Sequence, residues 1–468
     1  MWRGVPSTVE GHMRPQDYDR LLQMAYPAAT KMVTNNIRQE DVSKPLNSDK
    51  VDSSLTSQPT LVRWYIDTRR WDDMALNLPL LQTLSRADQN SIMKYHHLSD
   101  KRMSLASQLL KYFFVHQATG KSWNEIIIRR TPVPENRPYY DSSVDFNVSH
   151  QASLTLLAGT RAPESNAQTS SYPPRVGIDV ACVDEPNRRR SDRPPKTLAA
   201  LASFVDIFTE VLSPHELETI KNPRATLELA RQRGINASDA KNDTEESLAL
   251  YGMRLFYSVW ALKEAYLKMT GDGLLATWVR ELQFSNVIAP EPVSKRGVTE
   301  YPLCEPNPVD QSTFIAPSVQ NWGAPYTDIH ITLKGNPVNH VRVQLSAFES
   351  DFIVATAAAG SNIGTVSKQV QNDGDHHLPG YYELSDQNGP KDMRIAPSAV
   401  RKVGERDPWR VQSAIRDPWL PMQEVDIDLD IRPCAEGRCV HFQNPQSIFA
   451  HKPTPSVDST GSPDLNYC

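Results

Sequence analysis

Residues 260–268 read WALKEAYLK. On a helix, Trp260, Glu264 and Lys268 fall at i, i+4 and i+8 and share one stripe of surface, while Leu255, Val259, Leu262 and Tyr266 share the other. The apolar pattern around them predicts a helix from about Leu248 to Met269. Glu264 four residues ahead of Lys268 is also the favoured order for a helix-stabilising pair worth roughly 0.2–0.5 kcal/mol, so the segment alone has a purely structural reading.

Two other short runs carry chemistry. In VGIDV, residues 176–180, the period of two places Val176, Ile178 and Val180 on one face of a strand, with Gly177, Asp179 and Ala181 on the other. Asp179 is therefore expected off the core side, where a carboxylate beside a glycine can hold a hard cation while a phosphate approaches the backbone. An aspartate capping a turn at the strand end fits this segment equally well. In FNVSHQ, residues 146–151, Phe146 and Val148 point inward and the strand ends in Ser149 and His150, a hydroxyl and an imidazole that can face a phosphate.

Outward from these runs the chain divides. Residues 1–58 are polar and without periodicity, a weakly ordered arm, and LVRWYIDTRRW opens the folded part at Leu61. Ser85 with Asp88 predicts the cap of a helix running toward Tyr95. Met103, Ala106, Leu109, Leu110, Phe113 and Phe114 predict a second helix between Ser99 and Gly120. The order then returns: Ser213, Pro214 and Glu216 form a capping box, and the long helix around WALKEAYLK follows. This points to an internal duplication, two similar α+β subdomains at 59–175 and 176–360 facing one another across a cleft.

Polar or proline-rich stretches near 186–197, 221–246 and 286–325 are expected as surface loops. HITL near 330, VRVQLSAF from 341 and FIVATAAA from 352 are expected as strands. A C-terminal extension, 361–468, repeats RDPW at 406–409 and 416–419. Its run EVDIDLDI, 424–431, alternates strictly. It is expected as an edge strand with Val425, Ile427, Leu429 and Ile431 against the body and Asp426, Asp428 and Asp430 in water rather than on a metal.

Composition bounds the function. Of 468 residues only 39% are hydrophobic and 36 are proline, so part of the chain is loop or tail. A net charge of −5 removes the electrostatic reason to expect a nucleic-acid binder. Cysteines 182, 304, 434, 439 and 468 are too scattered for a disulfide framework and read as ordinary thiols in a reducing compartment. Cys434, Cys439 and His441 offer only three ligands at loose spacing, which argues against zinc. No run is apolar enough for a membrane span or a signal peptide, so a cytoplasmic protein with no membrane contact is expected.

FNVSHQ, VGIDV and WALKEAYLK, in this order and at these separations, together resemble the Sfp-type 4′-phosphopantetheinyl transferase family, over about residues 60–360. The long loops and the C-terminal extension look most like its fungal members. The resemblance implies transfer of the phosphopantetheine arm of coenzyme A to a serine of acyl or peptidyl carrier proteins, with release of adenosine 3′,5′-bisphosphate. The carriers implied are those of polyketide synthases, nonribosomal peptide synthetases and the aminoadipate reductase of lysine synthesis. It implies Mg2+ held by Asp179 and Glu264, because a pyrophosphate must be neutralised and magnesium takes only one or two carboxylates alongside phosphate oxygens. Glu264 would also be the general base toward the serine, and Lys268 would sit against the phosphates. The same pattern includes Lys263. Ser149 and His150 would meet phosphates at the nucleotide end. Arg137, in the triplet NRP, matches the basic position of the family's G-K-P, and Arg69 and Arg70 are candidates for the 3′-phosphate.

Two departures from the family pattern stand out. Asn136 replaces the glycine of G-K-P, and Ala181 stands where many bacterial members carry a second acid, leaving Asp184 or Glu185 as substitutes. They keep open a noncatalytic coenzyme A or carrier-protein binding module, or a hydrolase that gives the arm to water. Arg188, Arg189, Arg190, Arg193 and Lys196 form a basic cluster, read either as a solvated loop or as a docking surface for an acidic carrier. Two halves in one chain lessen the need for a second copy, so a monomer is expected.

Overall fold

The computed structural model describes residues 61–71, 78–133, 135–162, 174–184, 194–235, 244–273, 276–293, 321–360, 363–364 and 419–439. The expected N-terminal arm, the first RDPW, Glu185, Arg188, Arg189, Arg190, Arg193, Cys304, His441 and Cys468 lie outside them.

In chain order the first elements are β1 (Leu61–Asp67), α1 (Arg86–Met93), α2 (Leu98–Thr119), β2 (Arg129–Arg130), β3 (Pro138–Tyr139), β4 (Val144–Gln151) and β5 (Leu154–Arg161). There follow β6 (Arg175–Cys182), α3 (Leu198–Val205), α4 (Pro214–Lys221), α5 (Pro223–Gln232) and α6 (Glu245–Thr270). The last strands are β7 (Leu282–Ser285), β8 (His330–Leu333), β9 (Asn336–Pro337), β10 (Val341–Phe348), β11 (Phe352–Ala359) and β12 (Trp419–Glu424). The start signals work as read: the Ser85 hydroxyl accepts from the Asp88 N–H, and Ser213 and Glu216 make both bonds of the capping box. Gly120 at φ 70° and Gly271 at φ 91° end α2 and α6 in the left-handed conformation.

Of the four sheets among the described residues, two organise the layers, one in the order β12-β1-β5-β4 and the other β10-β11-β6. Alternation along the strands sends one set of side chains to a helix and the other to the opposing sheet. Val62, Trp64 and Phe146 pack with Phe113 and Phe114 of α2, whereas Leu61, Tyr65 and Leu156 pack with Val176, Ile178 and Val180 of β6. The far side of the second sheet carries α6 through Leu262, Ala265 and Met269. The layers therefore run helix, sheet, sheet, helix. This corrects the expected exposure of one face of β6: both faces are covered, and Asp179 is 2% exposed.

β6 is laddered to β11 on one edge. On the other it meets β4 through side chains. The Val176, Ile178 and Cys182 N–H groups donate to Asp145 Oδ2 at 2.7 Å, Asn147 Oδ1 at 3.2 Å and Gln151 Oε1 at 3.0 Å. The polar positions of β4 thus satisfy backbone donors that a ladder would otherwise satisfy, and they fix the register between the sheets.

Two expected features are corrected. The stretch 221–246 is not all loop, because Pro223 starts α5 and Thr226, Leu227 and Ala230 give it a buried face. Nor is 424–431 a strand. The strand is β12, parallel to β1, and it ends at Glu424. Asp426 then accepts from the Asp428 and Leu429 N–H groups, and Asp430 accepts from the Asp426 N–H, winding Ile427–Ile431 into a π-helical turn. Local side-chain bonds of this kind displace the ladder. Leu429 is consequently 40% exposed and Asp430 2% exposed, the reverse of the alternating expectation.

Candidate active site

The two sheets and α6 meet at Asp179. Its Oδ1 accepts from Ser149 Oγ of β4 at 2.9 Å and from Lys268 Nζ of α6 at 2.6 Å. Lys268 Nζ also donates to Ser149 Oγ at 2.9 Å, closing a triangle. Gly177 explains why helix and strand come so close: a Cβ there would lie 2.0 Å from the Ala265 carbonyl oxygen and 2.5 Å from Met269 N. Glu264, one turn before Lys268 on the same stripe, is 5% exposed.

The donors are hard throughout: the buried Asp179 carboxylate of β6 with the Ser149 hydroxyl on it, and the buried Glu264 carboxylate of α6. That set fits a small divalent cation that takes one or two protein carboxylates and completes its shell with water and phosphate oxygens. Ala181 adds no ligand and packs among the apolar residues under α6. Asp184 is exposed beyond the end of β6.

His150 follows Ser149 on β4 and so lies on the strand's other face, toward α2, where it is exposed. Desolvation there, then the charges of Lys268 and Lys111, lower its pKa from 6.5 to about 4, so the imidazole is neutral at neutral pH. Lys111 of α2 was not among the residues read from the sequence. Burial first, then Arg130, lower its amine to about 8 against the pull of Asp88. A lone lysine in the apolar run LLKYFF was the available signal.

The other candidates go elsewhere. Lys263 is fully buried away from Asp179, 3.0 Å from Glu216 Oε2, and it also donates to the Val279 and Leu282 carbonyls. Arg137 is 4% exposed. Its guanidinium donates to the Lys268 and Met269 carbonyls at the end of α6, to Val176 O at 3.0 Å and to Asp145 Oδ2 at 2.9 Å. Asn136 has φ 46°, a left-handed backbone that glycine or asparagine adopts readily, so this departure keeps the conformation a glycine would supply. Arg69 bonds Asp67 at 2.8 Å and Glu349 at 2.9 Å and so ties the two sheets together. Arg70 reaches Glu424 at 2.6 Å with its side chain 53% exposed.

A buried carboxylate holding an ammonium and a hydroxyl, with a second buried carboxylate one helical turn from the ammonium, is a grouping suited to phosphate-ester chemistry. Residues 69–162 match the N-terminal part of 4′-phosphopantetheinyl transferase, and residues 175–304 match the 4′-phosphopantetheinyl transferase superfamily. The chain is 40% identical over 410 residues to 4′-phosphopantetheinyl transferase A of Aspergillus fumigatus, covering 81% of this chain and 96% of that protein. It is also 40% identical over 403 residues to 4′-phosphopantetheinyl transferase NpgA of Emericella nidulans, covering 83% and 97%. The L-aminoadipate-semialdehyde dehydrogenase-phosphopantetheinyl transferase of Schizosaccharomyces pombe is 28% identical over 219 residues, 45% of this chain and 69% of that protein. The chain belongs to the 4′-phosphopantetheinyl transferase superfamily and is an enzyme of the fungal type, moving the phosphopantetheine arm of coenzyme A onto carrier proteins. Among the described residues no helix is long and apolar enough to cross a membrane.

Proposed function

We propose that Asp179, Glu264 and Lys268 form the transfer centre, and the observation that carries this is the convergence of Ser149 and Lys268 on the buried Asp179. Asp179 and Glu264 would hold Mg2+, which when bound neutralises the pyrophosphate of coenzyme A. The serine hydroxyl of the carrier attacks the phosphorus nearer the pantetheine arm. The bond to the bridging oxygen breaks, adenosine 3′,5′-bisphosphate leaves, and a Glu264 carboxylate oxygen takes the serine proton. Lys268 Nζ, Ser149 Oγ and His150 supply donors to the phosphates. Lys263 is a structural group, paired with Glu216 on the far side of α6 and outside the transfer centre. Arg137 has the same duty at the end of α6, and Arg70, the more exposed of its pair and held by Glu424, would reach the 3′-phosphate.

The two subdomains, 59–175 and 176–360, are related by pseudo-symmetry in this reading. The matching strand orders β1-β5-β4 and β6-β11-β10 support it, each sheet having a hairpin whose second strand is central. We read the enzyme as a cytoplasmic monomer acting on acyl and peptidyl carrier domains of polyketide synthases, nonribosomal peptide synthetases and aminoadipate reductase. The name of the fission-yeast relative supports the last of these.

Intact-protein mass spectrometry of an apo carrier domain, incubated with the enzyme, coenzyme A and magnesium, tests the assignment. The carrier gains one phosphopantetheine; chelation, Asp179→Asn and Glu264→Gln each abolish the gain while the melting curve stays cooperative. Near-normal turnover in either variant sinks the proposed site.

A further inference from the structure

His116 of α2 and two cysteines of the C-terminal segment, Cys434 and Cys439, come together in the core on the α2 side of the first sheet. All three are buried, and their ligand atoms lie within 4.8 Å of one another. His116 Nε2 stands 3.3 Å from Cys439 Sγ, and the Gln117 amide donates to Cys434 Sγ at 3.7 Å. A tetrahedral zinc with Zn–S of about 2.3 Å and Zn–N of about 2.0–2.1 Å sets neighbouring ligand atoms roughly 3.5–3.8 Å apart. The three atoms reach that spacing with shifts of about an ångström or less.

The imidazole is already oriented for such a role. Its Nδ1 lies 2.7 Å from the Lys121 carbonyl oxygen. A carbonyl only accepts, so Nδ1 carries the proton and Nε2 turns its lone pair toward the thiols. An outer bond of this type is how metal-ligating histidines are held in one tautomer, and an amide N–H on sulfur likewise supports a bound thiolate. The sequence offered Cys434 and Cys439 with loose spacing; folding adds a histidine 323 residues from Cys439.

We propose that His116, Cys434 and Cys439 bind a zinc ion through Nε2 and two thiolates, each thiol giving up its proton to solvent on binding. One tetrahedral position is left for a water or a further donor. The ion clasps the segment that carries β12 onto α2 and so holds β12 along β1. Asp179 and Lys268 lie under α6, on the other side of the two sheets, so this metal is structural and distinct from the magnesium of the transfer reaction.

The test uses the full chain, purified under reducing conditions without chelator. Elemental analysis is expected to give about one zinc per chain, and Cys434→Ser/Cys439→Ser to lose it. Titration of chelator-stripped wild type with cobalt is expected to give a thiolate-to-metal charge-transfer band that one equivalent of zinc abolishes and magnesium does not. Zinc is also expected to restore the melting temperature of the stripped protein and its resistance to proteolysis in the C-terminal segment. The wild-type titration stands even if the double variant fails to fold. No metal retained together with no cobalt band, zinc equally present in both proteins, or a Cys434–Cys439 disulfide under these conditions would each overturn the proposal.

Discussion

Replacing Gly177 by alanine puts one methyl group between β6 and α6. Built on the present backbone, that Cβ lies 2.0 Å from the Ala265 carbonyl oxygen and 2.5 Å from Met269 N, against an ordinary contact of 3.4 Å or more. Both obstacles are backbone, so no rotamer change relieves the clash, and α6 must retreat by about 1.4 Å at Ala265. Glu264 and Lys268 flank that point and move with it. Overpacking costs roughly 1–3 kcal/mol of stability, and a displacement of about an ångström at a reacting group costs on the order of 100-fold in rate. The assay pairs kcat/KM for carrier loading with urea unfolding. A matched control is Gly159→Ala, whose Cβ would meet the Phe114 ring at 2.4 Å on the α2 side. It is expected to lower stability while keeping turnover per folded molecule. If Gly177→Ala keeps normal kcat/KM, or if Gly159→Ala loses as much, the close seat of α6 on β6 does not set the site.

Two further outcomes follow from buried and titrating groups. Lys263→Met leaves the Glu216 carboxylate buried without its ammonium at 3.0 Å, and it is expected to cost about 3–5 kcal/mol in denaturant unfolding with turnover per folded molecule unchanged. A tenfold fall in kcat would place Lys263 in the transfer centre instead. The His150 imidazole, lowered from 6.5 to about 4 by desolvation and then by Lys268 and Lys111, binds its proton later in the folded than in the unfolded chain. Its contribution to stability is therefore complete above about pH 6.5 and is lost as pH falls toward 4, and His150→Gln flattens that part of the profile. An unchanged stability slope between about pH 6.5 and pH 4 in the variant contradicts the cause given for the shift.

Much of the scaffold was legible because it is locally encoded. Capping at Ser85 and Ser213, left-handed stops at Gly120 and Gly271 and the apolar periods between them are bonds and sterics within a few residues. The strands VRVQLSAF and FIVATAAA were read for the same reason. Where a local competitor was overlooked, the reading failed: the aspartates of EVDIDLDI bond nearby N–H groups and make a turn instead of a strand.

The sequence by itself determined the residue types of the proposed site, their order and the stripe that Glu264 and Lys268 share, since helical periodicity fixes which side chains share a face. Only the tertiary structure decided which of the basic residues stand beside Asp179. Lys268 closes on it, whereas Lys263, adjacent to Glu264 in sequence, turns into the opposite core to pair with Glu216. Arg137 is drawn to the open carbonyls at the end of α6, and Lys111 and His116 are brought to their neighbours from a helix that reads as plain core. The physical reason is that a buried charge is bound to the partner nearest in space, and chain distance, 131 residues for Arg137 and Lys268, carries no information about that partner.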